Sequence, residues 1–189
     1  MPFVDSLTVM LIGLAMGLAL GAFYFFFRAR EDEKMLNALI VPAFVVGLFD
    51  TVSGFLMSFT WPLPGSYNML FGDPLLLFGL ILVMTSVAYY KKMNLGLIPV
   101  LSLLLGIYVL VGAYSIVQLK LESGNNLITA LGLYIFSGLG ALLAPIAYIK
   151  PTSGNKYLYY TEWIILGIAT IFALVIGYMG FHEHLASPP

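Results

Sequence analysis

Apolar residues run in six long blocks along this chain, separated by short stretches that hold most of the charge and the turn-forming residues. A helix that crosses a bilayer needs about 20 mainly apolar residues. Each block is long enough, and the pattern predicts spans near residues 6–27, 35–60, 73–90, 95–118, 127–149 and 159–181. The second is long enough to tilt, or to bend at Pro42. The expected fold class is all-α, a six-transmembrane-helix bundle forming one polytopic domain over residues 1–189. Every connection is short. The longest, residues 61–72, is aromatic, turn-rich and uncharged, and is expected to lie on or dip into the membrane surface.

Composition agrees with this reading. Of the 189 residues 61% are hydrophobic and 9% charged, and mean hydropathy is +1.00. Soluble domains carry about 25% charged residues, so the charges here are too few to coat a globule of this length. An ordinary cytosolic enzyme, a disordered chain and a nucleic-acid binder are excluded, the last because it would need a basic face. The expected solvent is the lipid bilayer. The absence of cysteine removes disulfides, thiolate metal sites and a cysteine nucleophile. The first block does not fit a signal peptide, which begins with a positive segment. Residues 1–27 contain Asp5 and no Lys or Arg, so the block is read as a retained helix.

Charge distribution gives the bundle a direction. Arg28, Arg30 and Lys34 follow the first span, Lys91 and Lys92 the third, and Lys150 and Lys156 the fifth, leaving only Lys120 for the other side. Basic loops face the cytoplasm, so both termini are expected outside. The inner side then carries +3 and the outer side, with Asp5, Asp50, Asp73, Glu122 and Glu183, carries −4.

Helices in lipid associate where small residues allow close contact. Gly13, Gly17 and Gly21 recur every four residues on one face of the first span. They offer either an oligomer interface or, the reading we favour, a crossing with another helix of the same chain. Ser137, Gly138, Gly140, Ala141, Gly177 and Gly180 suggest further close crossings.

Asp50 is the most informative polar residue, roughly 22 Å along the second span at 1.5 Å per residue. A lone carboxylate at that depth costs several kcal/mol unless it is paired, hydrogen-bonded, hydrated or protonated. It marks either a ligand site or a packing lock. Ser53, Asp73, Tyr114, Gln118 and Tyr178 fall at similar depth and, with Asp50, are the expected ligand-binding set of an outward-opening polar pocket. Asp73-Pro74 also fits a helix start, Asp as N-cap and Pro at the first position. Glu162, in the first turns of the sixth span, is read as complementing the helix dipole.

The tail residues His182, Glu183 and His184 could hold a divalent transition metal at the outer face, since imidazole and carboxylate are suitable ligands. Residues two apart do not share a helix face, so both histidines can reach one ion only if the helix has ended. Neither haem nor retinal is expected within one chain. Both histidines share one helix end and no lysine lies mid-span. No hydrolase, metalloprotease or nucleotide-binding motif is present, which leans against an enzyme.

Asp50 within the second span, Asn68-Met69-Leu70-Phe71-Gly72-Asp73-Pro74 opening the third, and the short polar tail together resemble an uncharacterised family, a domain of unknown function. Its members are small multi-span membrane proteins of archaea and some bacteria. The resemblance covers nearly the whole chain. It implies an archaeal-like source and a plasma-membrane location, but no activity and no catalytic residue.

Three functions are therefore expected, in this order. The first is binding or transport of a cation, metal ion or small polar solute around Asp50. The second is a non-catalytic subunit of a larger respiratory or oxidase-type membrane complex. The third is a membrane metalloprotein using His182 and His184.

Overall fold

A computed structural model of the protein describes residues 6–186; Asp5 lies outside that range. Six helices form: α1 (Ser6–Ala29), α2 (Glu33–Thr60), α3 (Asp73–Tyr90), α4 (Ile98–Gln118), α5 (Gly124–Leu143) and α6 (Lys156–Ala186). A π-helical turn at Asn68–Gly72 runs straight into α3, and a 3-10 turn at Ala144–Tyr148 extends α5. All six, with these extensions, are long and apolar enough to cross a membrane, which points to a multi-pass membrane protein. The observed helices match the expected spans to within a few residues. The clearest difference is α6, which continues past residue 181 to Ala186.

Local chemistry explains several helix ends. Asp32 caps α2, its Oδ1 accepting the Met35 N–H at 3.0 Å. Trp61 ends α2 in a left-handed conformation, φ 52°, and Pro62 follows, which cannot continue a helix. Pro99 sits in the first turn of α4, where its missing N–H costs nothing. Pro42 lies inside α2 without ending it. The expected capping role of Asp73 is not realised. The chain is already helical at Gly72, with φ −69° and ψ −52°, and no side chain caps there. The π turn, which sequence periodicity does not reveal, takes over the start of the span. Asn68, fully buried, secures the loop before it: its Oδ1 accepts the Leu63 N–H at 2.9 Å and its Nδ2 donates to the Leu63 and Gly65 carbonyls.

The helices form a ring in chain order. Each packs on its sequence neighbour, and α6 closes the ring on α1. Contact is most extensive between α2 and α3 and between α1 and α6, and sparsest between α3 and α4. The α2–α3 pairing is backbone on backbone. A Cβ on Gly54 would stand 2.3 Å from the Leu76 nitrogen, and one on Gly79 would stand 2.4 Å from the Thr51 nitrogen. Gly106 and Gly138 perform the same service between α4 and α5. Gly177 and Gly180 bring α6 against Ile12 and Thr8 of α1.

The glycines of α1 also serve crossings within the chain. Gly13 abuts Phe49 and Asp50 of α2, Gly17 abuts Phe78 and Leu82 of α3, and Gly21 faces Leu166 of α6. Gly13 and Gly17 are buried and have no surface to offer a second copy. The outer faces of the bundle are apolar, with Val41 and Phe59 among the most exposed side chains.

The connections gather at two ends. At one, Lys156 pairs with Glu31 at 3.2 Å, Arg28 pairs with Glu33 at 3.3 Å, and the Tyr148 hydroxyl donates to the Gly96 carbonyl. Seven of the eight basic residues lie in the turns or the adjoining helix ends at this basic end. At the other end Tyr67 reaches the Leu121 carbonyl at 3.5 Å.

Candidate functional site: a central chamber with a buried carboxyl

Within the ring lies a partly open chamber of about 190 Å³ to which all six helices contribute. Its walls are mainly leucine and aromatic side chains: Leu14 and Leu18 from α1, Ile40 from α2, Phe78 from α3, Leu105 from α4 and Leu133 from α5. α6 contributes Leu166 and one ionisable side chain, Glu162.

Glu162 is fully buried, at 0% exposure, and neither carboxyl oxygen has a hydrogen-bond partner among the described residues. Its position follows from helix geometry. α6 begins at Lys156, so Glu162 stands about 9 Å along the helix at 1.5 Å per residue. That is beyond the first turn, where an acid interacts with the helix dipole, so the expected dipole role is not the one observed. α5 presents Gly140 beside Leu166 and the Glu162 carboxyl. A Cβ on Gly140 would stand 3.3 Å from Glu162 Oε1.

The chamber adjoins a polar vestibule of about 720 Å³ at the basic end. Tyr24, Tyr89, Leu95 and Ala147 line both spaces. The rings of Tyr24 and Tyr89 meet edge to face at 5.8 Å. Beyond them lie Arg28, Glu33, Asn37, Lys92 and Asn94. At the opposite end Tyr134 crosses the ring and its hydroxyl donates to the Leu70 carbonyl in the π turn.

The residues expected to form an outward-opening pocket are not brought together. Asp50 is fully buried, but against Gly13 and Gly17 of α1 rather than in a pocket, and neither of its oxygens has a hydrogen-bond partner among the described residues. Ser53 is half-buried on α2. Asp73 bridges three helices: its Oδ1 accepts from the Ser58 hydroxyl at 2.6 Å and its Oδ2 from the Tyr108 hydroxyl at 2.9 Å. Tyr114 and Tyr178 point away from the bundle interior, 67% and 61% exposed, and Gln118 is exposed as well. The shared depth inferred from sequence said nothing of azimuth, and the azimuths diverge.

His182, Glu183 and His184 lie on the continuous helix α6, which runs to Ala186. The helix therefore has not ended, and the two histidines occupy different faces. Among the described residues no group of three or more His, Asp or Glu side chains could hold a metal ion.

Sequence reasoning missed Glu162. The signal was available: it is the one acid in the sixth apolar block, and small residues at 138, 140 and 141 mark the helix that makes room for it.

No curated protein and no solved structure matches the chain. The family described as "Protein of unknown function (DUF981)" matches residues 1–187, and by that match over nearly its whole length the chain belongs to this family.

Proposed function

We propose that the protein is a membrane-embedded binding protein for a lipophilic small molecule, which it holds in the central chamber. One observation carries this: an apolar space lined by all six helices, with a single carboxyl in its wall. Its volume of about 190 Å³ exceeds the roughly 150 Å³ of an engineered cavity that takes up benzene. Ligand sites are commonly concave and apolar, with few polar groups fixing orientation. The geometry favours this chamber over a polar pocket around Asp50, whose intended partners Tyr114 and Tyr178 face away. The route of access is the α3–α4 seam, the thinnest in the ring. With basic loops cytoplasmic, the vestibule opens to the cytoplasm.

Photo-crosslinking tests the proposal. A neutral octyl diazirine should label Ser102 and other chamber walls saturably, and unlabelled octyl methyl ether should compete. Ala141→Trp, which fills the chamber, should reduce labelling at Ser102 to background. Labelling confined to lipid-facing residues such as Val41 and Phe59 would overturn the proposal.

A further inference from the structure

The chamber wall carries more information than its shape. Of the groups that line it, the ionisable ones are Glu162, Tyr24 from α1, Tyr89 from α3 and Tyr134 from α5. No cationic side chain is among them, and α2 and α4 contribute no ionisable group. Arg28 and Lys92 belong to the vestibule, where Arg28 is already paired with Glu33 at 3.3 Å. Glu162 thus belongs to the lining of an apolar space, with both carboxyl oxygens buried from water and unpartnered among the described residues, and with no cationic side chain in that lining.

A carboxylate in such surroundings is costly unless a counter-ion, a hydrogen-bond donor or a proton meets it. Aromatic rings surround the same space: Tyr24, Phe25, Phe71, Phe78, Tyr89 and Tyr134. Ring faces attract organic cations, and the attraction grows to about 2 kcal/mol or more when the cation is desolvated. A buried acid and an aromatic wall therefore select the same chemistry. An anionic amphiphile would place its head in the vestibule, but that leaves Glu162 unanswered. A neutral apolar ligand leaves it unanswered too.

We propose that the chamber binds a lipophilic organic cation, an ammonium-type group on an apolar body, with Glu162 as its anchoring carboxylate. This rests on the chamber being a ligand site. The cation satisfies the Glu162 oxygens, the aromatic rings cover its other faces, and the apolar body fills the leucine-lined remainder. Such a ligand partitions into the bilayer and reaches the chamber from the side, past the α3–α4 seam, without crossing the basic turns.

Three probes of equal chain length test it in nanodiscs of zwitterionic lipid, with protein-free discs as background: octyltrimethylammonium, octyl methyl ether and octyl phosphate. The ammonium should bind at least about tenfold tighter than the ether. Glu162→Gln should remove that preference, leaving ether binding unchanged, while Asp50→Asn, away from the chamber, should leave both unchanged. Glu162→Asp should retain the preference in part, and if Glu162→Gln does not fold, the wild-type preference and Glu162→Asp decide. Equal binding of ammonium and ether would overturn the cation assignment and leave the chamber reading standing. Tightest binding by octyl phosphate, lost in Arg28→Gln, would overturn it in favour of an anionic headgroup. Saturable binding of none of the three would remove the chamber reading itself, and this inference with it.

Discussion

Three carboxyls fall into two opposite kinds at the scale of single residues, and their surroundings explain why. Asp73 is satisfied twice, by Ser58 on α2 and Tyr108 on α4. Asp50 and Glu162 are each fully buried with no hydrogen-bond partner among the described residues. A hydrogen bond to a charged group contributes about 1.5–3 kcal/mol, and removing the acceptor also strands its donors. Asp73→Ala should therefore destabilise the fold by about 2 kcal/mol, and Ser58→Ala by less, as read from thermal unfolding in detergent. A double-mutant cycle between the two should show coupling, since they share a bond. Gly13 offers a second check at this scale. A Cβ there would stand 2.6 Å from Asp50 Oδ1 and 2.6 Å from the Phe49 ring. Gly13→Ala should lower Tm, and Asp50→Ala should recover part of that loss by removing one of the two obstacles. No recovery would mean that the Phe49 ring alone sets the contact.

At the scale of elements, the sequence revealed spans far better than it revealed how they meet. Hydropathy places all six helices because a backbone in lipid must satisfy its own hydrogen bonds, so long apolar runs have little choice but helix. It does not distinguish a lumen-facing leucine from a lipid-facing one, because both surroundings are apolar. Tyr114 and Tyr178 illustrate the consequence: both are exposed on outward faces rather than turned toward a shared pocket. The small residues were more informative. Gly13, Gly17 and Gly21 do mark crossings within the chain. The closest crossing, α2 on α3, depends on pairs of glycines seven apart, Gly47 with Gly54 and Gly72 with Gly79. That spacing keeps both members of a pair on one helix face. Gly54 and Gly79 face backbone first, rather than flexible side-chain tips. Over-packing of this kind costs about 1–3 kcal/mol. Gly54→Ala and Gly79→Ala should each lower Tm measurably, whereas Gly167→Ala, where an added Cβ meets nothing within 4 Å, should leave it unchanged.

At the scale of the whole molecule, the ring makes ends, lumen and lipid face three distinct chemical environments, and the lack of any native cysteine lets single thiols report on each. Asn94→Cys lies in the vestibule at the basic end, Ser123→Cys is exposed in the turn before α5 at the opposite end, and Ser102→Cys lines the chamber. If basic loops face the cytoplasm, a membrane-impermeant maleimide added to intact cells should label Ser123→Cys and spare Asn94→Cys until the cells are opened. The reverse result would invert the topology. It would turn the vestibule outward but leave the chamber argument untouched, because that argument depends on lining residues and not on sidedness. Ser102→Cys should resist the impermeant reagent from both sides and react with a small lipophilic maleimide. Tyr108→Phe should speed that reaction, because the Tyr108–Asp73 hydrogen bond at 2.9 Å ties α4 to α3 across their sparsest contact. An unchanged rate would place the route to the chamber elsewhere than the α3–α4 seam, with the vestibule between Tyr24 and Tyr89 as the path that remains.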